Sequence, residues 1–486
     1  DRRLAALPAG ELPVSRQVAA WFDRIASVLE RERGLLAGAR LDPRDRRRLM
    51  DLLGSAFSDY RQAVYARGFS GKTGLAVGRA VALCRTALAY IDWGIAANRR
   101  PDGLFHAYNL LDIAAGEGGV EVLRLPLMIE GQVAALDAGV LAPQDALDLL
   151  RRLFASPLYR PDQRSFMLYQ ERQLPGFMDR NAVPAARVEA IPLLRDLLAA
   201  GNPALLARDA EGVHRFRGDF ARAADLEAAL DDIGRQDAWA VAAARDRAAI
   251  LDLFEDIFRH KSYTGRSGVM YAYEGIGCIY WHMVAKLLLA TQDLVMGTDR
   301  DRLAPPVRDE LAKMYYRIRA GLGYEKTVAE FGAFPTDPYS HTPARGGAKQ
   351  PGLTGQVKEE ILTRAGELGI RVERGGVRFE PRLLRADEFL GRPDVFHYHD
   401  RRGQARSLAL SPGQLAFTIC QVPVVYARGA GQPWLRVVFA DGTTAERHGN
   451  RLDADLGAEL FARTGRIERI QVGIPDLDLC RFERGG

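Results

Sequence analysis

The stretch Gly355-Gln-Val-Lys-Glu-Glu-Ile-Leu-Thr-Arg-Ala-Gly-Glu-Leu-Gly369-Ile-Arg-Val-Glu-Arg-Gly-Gly-Val-Arg-Phe379 changes its apolar period in the middle. Up to Leu368 the apolar residues recur three and four apart, which is the spacing of one helix face. Beyond Gly369, the runs Arg371-Val372-Glu373-Arg374 and Val377-Arg378-Phe379 alternate between apolar and polar, as a half-buried strand does. The stretch therefore predicts two domains: a helical one over residues 1–368 and a β-sandwich-like one over 369–486.

Reading outward toward the N-terminus, helical spacing continues in Val18-Trp21-Phe22-Ile25-Val28-Leu29, in Leu49-Leu52-Leu53-Phe57-Tyr60 and in Leu75-Val77-Val81-Leu88-Ile91. About twelve helices are expected, near 14–34, 43–66, 73–97, 104–115, 120–138, 143–155, 184–200, 222–233, 238–260, 276–296, 302–321 and 355–368. Asp42-Pro43 and Ala142-Pro143 are start signals, because proline is preorganised for the first helical position. Reading toward the C-terminus, strands are expected at Leu415–Ile419, Val422–Tyr426, Trp434–Phe439 and Ile467–Ile474, with Asp441-Gly442 as a hairpin turn.

The 486 residues are 47% hydrophobic and 27% charged, which excludes a disordered or collagen-like chain. The net charge of +5 invites a nucleic-acid reading, but only seven of the 67 basic residues are lysine and the arginines are interleaved with 62 acids. Without a one-sided basic stripe, no nucleic-acid partner is expected. Cys84, Cys278, Cys420 and Cys480 form no CxxC pair, so neither a disulfide framework nor a zinc cluster is expected. No apolar run approaches eighteen residues, Trp281 to Met296 being the most apolar helix, and no membrane partner is expected. The opening Asp-Arg-Arg reads as the cut edge of a longer protein with further domains before it. Localisation stays open on this reading, with the cytoplasm favoured.

Three segments lack periodicity and are long for simple connections: 156–183, 261–275 and 331–354. Loops of such length in a compact domain are usually functional, because ordering them has an entropic cost. The second is the densest in chemistry, with Tyr263, Arg266, Tyr271, Tyr273, Glu274, Tyr280, Trp281 and His282 close together. Sugars present flat C–H faces beside hydroxyl edges, and a site that grips them needs aromatic platforms with acids, amides and arginines around them. The third segment supplies Asp337, Tyr339, His341, Lys349 and Gln350 between prolines, and the first supplies Asp162, Gln163 and Arg164. Asp102, His106, Tyr108 and Asn109 form a similar group. Glu130, inside the apolar run Leu125 to Leu136, is a carboxyl that burial would push toward the range of a general acid. Two motifs carry little: Gly71-Lys72-Thr73 has Ala66 where a P-loop needs glycine, and the strand pair His397 and His399 has no third metal ligand.

A helical domain with long loops followed by a small β-sandwich resembles the (α/α)6 toroids of the six-hairpin glycosidase and sugar-phosphorylase clan. The blocks Lys261-Ser-Tyr-Thr-Gly-Arg-Ser-Gly-Val-Met-Tyr-Ala-Tyr-Glu-Gly-Ile-Gly-Cys-Ile-Tyr-Trp-His-Met-Val284 and Phe334-Pro-Thr-Asp-Pro-Tyr-Ser-His-Thr-Pro343 are similar to blocks of large bacterial proteins without an assigned activity. The resemblance implies a carbohydrate-active enzyme that cleaves glycosidic bonds of an oligo- or polysaccharide as a hydrolase or phosphorylase. Glu274 and Asp337 are the expected carboxylate pair. Tyr263, Arg266, Tyr271, Tyr273, Trp281, His341, Gln350, Asp162, Gln163 and Arg164 are the expected substrate ligands. No cofactor or metal is expected, apart from inorganic phosphate as co-substrate of a phosphorylase, for which Arg266, His341 and Lys349 are anion ligands by charge. Two alternatives stay open: a polysaccharide lyase using Tyr339 or His341, and a non-catalytic sugar-binding or assembly domain.

Overall fold

The computed structural model describes residues 10–113, 118–170, 175–264, 270–271, 279–297, 303–322, 326–327, 341–342 and 356–480. The chain divides into two compact units. One comprises residues 1–170 and 278–486, and the other, residues 171–277, is inserted between those two stretches.

In the first unit three long helices come first: Arg16–Arg31, Pro43–Arg67 and Val77–Ala97. Their starts follow from sequence. The Ser15 hydroxyl accepts from the Val18 amide at 3.2 Å, and Asp42 accepts from the Arg44 amide at 2.8 Å with Pro43 in the first helical position. The helix expected from residue 73 begins only at Val77. Residues 72–76 pair instead with Glu11–Ser15 as an antiparallel ladder, in which their backbone groups find partners before the helix starts. Helix Val77–Ala97 is long and apolar enough to cross a membrane by length and composition, which the sequence reading passed over. It carries Arg79, Arg85 and Asp92, and Arg79 is bound to Asp23 of the first helix.

A second group of helices surrounds Trp281–Met296, in which Trp281, Val284, Leu287, Leu288, Val295 and Met296 are all buried. A helix with so broad an apolar surface belongs inside a bundle, and this one packs against Ile129–Asp137, Pro305–Ala320 and Gln356–Glu367, leaving Lys286 and Asp293 exposed. Its buried polar residues are paired: the Thr291 hydroxyl donates to the Leu287 carbonyl at 2.8 Å, and Gln292 donates to the Thr363 carbonyl at 2.7 Å. The helices expected at 104–115 and from 120 are corrected by the structure. Asn109–Asp112 and Glu121–Arg124 form an antiparallel hairpin, and the next helix starts at Ile129.

The change of period at Gly369 coincides with the change of structure. Helix Gln356–Glu367 ends, Gly369 takes φ +71°, and strand Ile370–Glu373 follows. Around this junction Glu367 is buried and accepts from the Tyr315 hydroxyl at 2.7 Å, Arg319 at 2.9 Å and Arg364 at 2.7 Å; Arg364 also reaches Glu388 at 2.8 Å. The Tyr426 hydroxyl donates to the Leu368 carbonyl. These bonds tie helices and strands into one unit.

After the junction strands dominate. A five-stranded sheet runs in the order Gln414–Ile419, Val422–Gly429, Ile467–Pro475, Trp434–Phe439, Thr444–His448, with the second and third of these parallel. A three-stranded sheet combines Ile370–Glu373, Gly376–Phe379 and Arg451–Leu452. Val377 and Phe379 of the smaller sheet share one core with Val424, Tyr426, Val437, Ile470 and Val472 of the larger, and with Leu460 of helix Ala454–Phe461. The Asp441-Gly442 turn forms as read, with Gly442 at φ +81° and Asp441 accepting from the Thr443 amide at 2.9 Å. Asp394–His399 and Ala405–Leu410 form a further hairpin.

The inserted unit has its own core, drawn from helices Pro192–Ala199, Ala223–Gly234 and Ala240–Phe258 around Leu193, Leu197, Leu226, Ile250, Leu253 and Phe254. Its hairpin Leu206–Arg208 with His214–Phe216 is held by Asn181, whose amide accepts from the Phe216 N–H at 2.9 Å and donates to the Phe216 carbonyl at 2.8 Å. Buried Asp246 accepts from the Leu193 amide at 2.8 Å, and the bonded Arg245 guanidinium holds its carboxyl below the usual range.

Candidate functional site

Helix Ile129–Asp137 begins beneath the segment 105–108, and two residues fix that contact. Gln132 is fully buried; its side chain accepts from the Phe105 N–H at 2.8 Å and donates to the Phe105 carbonyl at 2.7 Å and the Met128 carbonyl at 2.9 Å. Gly131 lets the segment approach, since a Cβ there would lie 2.7 Å from the Phe105 carbonyl oxygen. The clamp sets Tyr108 and His106 beside Glu130 in the first turn of the helix.

There the three side chains border a cavity of about 210 Å³, together with Ile95 and Asn98. The Tyr108 hydroxyl is 3.5 Å from Glu130 Oε1, while Glu130 Oε2 and His106 Nδ1 are buried without a hydrogen-bond partner. Burial raises the Glu130 carboxyl above its ordinary value, against the smaller opposing effects of Tyr108 and Lys286. A helix N-terminus favours the carboxylate, so desolvation outweighs it here. Burial lowers His106 below its ordinary value. The nearby Glu130 charge, followed by burial, raises Tyr108. A carboxyl with a free oxygen, a phenol and an imidazole can between them donate to and accept from the hydroxyls of a polar ligand.

Long segments singled out in the sequence meet next to this helix. The Ile129 amide donates to the Leu168 carbonyl at 3.2 Å, Met128 bridges to Tyr169, and Met167 bridges to Ile279. Strand Ile279–Tyr280 pairs in turn with His341–Thr342, setting Tyr280 opposite His341. Tyr280 is near enough to Tyr108 to contribute to its raised value.

The residues expected from sequence fall in different places. Glu274, Asp337, Arg266, Tyr273 and Gln350 lie outside the described residues. Tyr263 and Tyr271 are paired across a short ladder within the inserted unit. Trp281 is fully buried in the central core, with Lys326 Nζ 5.1 Å from its ring centroid. Asp162 is bound through both oxygens to Arg160 at 2.9 and 3.2 Å. Gln163 is buried with its carbonyl 3.5 Å from Lys326 Nζ, and Arg164 takes φ +49° at the end of a short turn. Asp102 serves structure, since a bidentate bond to Arg100 holds its carboxyl below the usual range. Two contributors were missed. Lys326 is buried between Trp281, Gln163 and the Gly321 carbonyl, and its signal was the rarity of lysine in this chain. Gln132 looked like one polar residue on an apolar helix.

Comparison with known proteins gives one family match: residues 174–261 fit the model described as GH149 phosphorylase insertion domain 2. The matched span falls within the inserted unit 171–277. The match implies a relation to that glycoside phosphorylase family through this span. Comparison with curated proteins gives no match.

Proposed function

We propose that this protein is a glycoside phosphorylase, cleaving a glycosidic bond of an oligo- or polysaccharide with inorganic phosphate on an (α/α)6 scaffold. The observation that carries the reading is the correspondence between the inserted unit and a phosphorylase insertion domain. On this reading residues 1–368 form the catalytic portion and 369–486 a β-sandwich that braces it. Of the carboxylates Glu274 and Asp337 one suffices when phosphate is the nucleophile: it protonates the glycosidic oxygen as the bond from the anomeric carbon breaks. A phosphate oxygen bonds to that carbon, giving a sugar 1-phosphate and a shortened glycan with no water consumed. The cavity bordered by Glu130, Tyr108 and His106 supports a sugar subsite, because a carboxyl oxygen and an imidazole nitrogen buried there without partners can exchange hydrogen bonds with hydroxyls.

The test is an incubation of the protein with oligosaccharides of defined linkage, with and without phosphate. Release of sugar 1-phosphate only when phosphate is present is the expected result. Equal cleavage without phosphate, or an unsaturated product absorbing in the ultraviolet, overturns the proposal. Whichever of Glu274→Gln and Asp337→Asn removes the proton donor should lower turnover by about 100-fold or more, with its melting curve unchanged.

A further inference from the structure

In the β region, the turn of hairpin Asp394–His399/Ala405–Leu410 and the connection after helix Ala454–Phe461 border one cleft of about 550 Å³. Asp400 builds the turn: Oδ1 accepts from the Arg402 amide at 2.9 Å and the Gln404 amide at 3.0 Å, and Oδ2 accepts from Arg406 at 3.0 Å. Its charge is thus matched within the turn. Between these anchor points Arg401 and Arg402 line the cleft. Gly465, on the opposite border, takes φ +81°, and a Cβ there would lie 2.0 Å from Arg401 Nε, so the glycine leaves room for that side chain.

Arg463 supplies a third guanidinium. Glu459 also borders the cleft, but it accepts from the Thr464 hydroxyl at 2.7 Å and lies 3.5 Å from Arg466. Among the described residues the guanidiniums of Arg401, Arg402 and Arg463 have no ion-pair partner, and Glu468 is the one carboxylate of the cleft without one. Unmatched like charges raise the local potential and favour a counter-ion of opposite sign. The backbone is strained at the same place. Cys420 and Gln421, at φ +51° and +63°, form a two-residue hairpin turn that Asn-Gly would fill more easily, and Arg463 is at φ +51°. Of six non-glycine residues with positive φ among those described, three line this cleft, and such strain gathers at ligand sites.

We propose that the cleft is a binding site for a small, multiply charged anion of the phosphate or pyrophosphate class, held by Arg401, Arg402 and Arg463. The planar guanidinium fork matches phosphate oxygens two at a time, and the volume falls in the small-molecule range. The inference goes beyond the phosphorylase reading and does not depend on it.

Calorimetric titration with inorganic phosphate and with pyrophosphate, at low and at moderate salt, tests it. Pyrophosphate should bind one to one, weaken as salt rises, and bind roughly tenfold more weakly to the Arg401→Ala/Arg402→Ala variant. Arg463→Gly separates binding from folding. Glycine relieves a left-handed backbone position, so this variant should melt at or above the parent temperature while losing affinity to a similar degree. If neither anion binds, or if both variants bind as the parent does, the proposal is overturned. Phosphate binding that persists unchanged in both variants belongs to another site and counts against this one.

Discussion

Glu130 and His106 share a cavity and are shifted in opposite senses, so they make opposite demands on pH. The folded protein holds the Glu130 proton after the unfolded chain, near the ordinary value of 4.5, has lost it. The stability this provides is fully present below that value and is lost as pH rises through the raised folded value. His106 acts in reverse: its contribution is present above the ordinary 6.5 and is lost as pH falls through the lowered folded value. Glu130→Gln removes one arm. Melting temperatures measured from pH 4 to 9 should stop declining on the alkaline side, with the acid-side decline kept, and at pH 8 the variant should melt no lower than the parent. A variant that keeps the alkaline decline would show that Glu130 is not its source. The carboxyl was legible in the sequence because an acid inside the apolar run Leu125–Leu136 is either buried or paired. The role of Tyr108 was not, since it depends on a backbone clamp formed by two residues, 131 and 132, that are distant from it in the chain.

That clamp is a matter of elements, since Gln132 joins a helix to an irregular segment by satisfying both backbone groups of Phe105. Gln132→Ala would leave a buried N–H and C=O unpaired, a cost of about 2–5 kcal/mol for the two groups. Urea unfolding should show that loss, and hydrogen exchange should show faster exchange at Phe105 before any change in the inserted unit. Exchange spreading equally over both units would mean that the clamp is not local. Helix ends with Asp-Pro starts were read from sequence because capping is local chemistry. The hairpin Asn109–Asp112/Glu121–Arg124 was misread because Leu110, Leu111, Val122 and Leu123 also satisfy a helical template. The better signal was Gly118-Gly119, with Gly118 at φ +79°, a conformation helices do not use.

At the scale of the whole chain, the change of period at Gly369 was legible and the insertion was not. Helices of the inserted unit carry the same apolar spacing as those of the first, and periodicity does not say which helices share a core. Leu253 is buried in one core and Leu288 in the other. Leu253→Ala should cost about 2–5 kcal/mol, and differential calorimetry should place that loss in one of two thermal transitions. A single transition that moves as a whole would mean that the two cores melt together.

The interruption at residue 170 also bears on how the chain is made. Helices Ile129–Asp137 and Pro143–Phe154 leave the ribosome well before Trp281–Met296, the helix against which the bundle closes. At roughly 5–20 residues per second, their apolar faces wait on the order of ten seconds for that partner. During the wait the inserted unit, whose core is drawn from one continuous stretch, is complete first. Nascent chains are therefore exposed to aggregation and to chaperone capture chiefly through the first unit, and synthesis rate over 171–277 sets the length of that exposure.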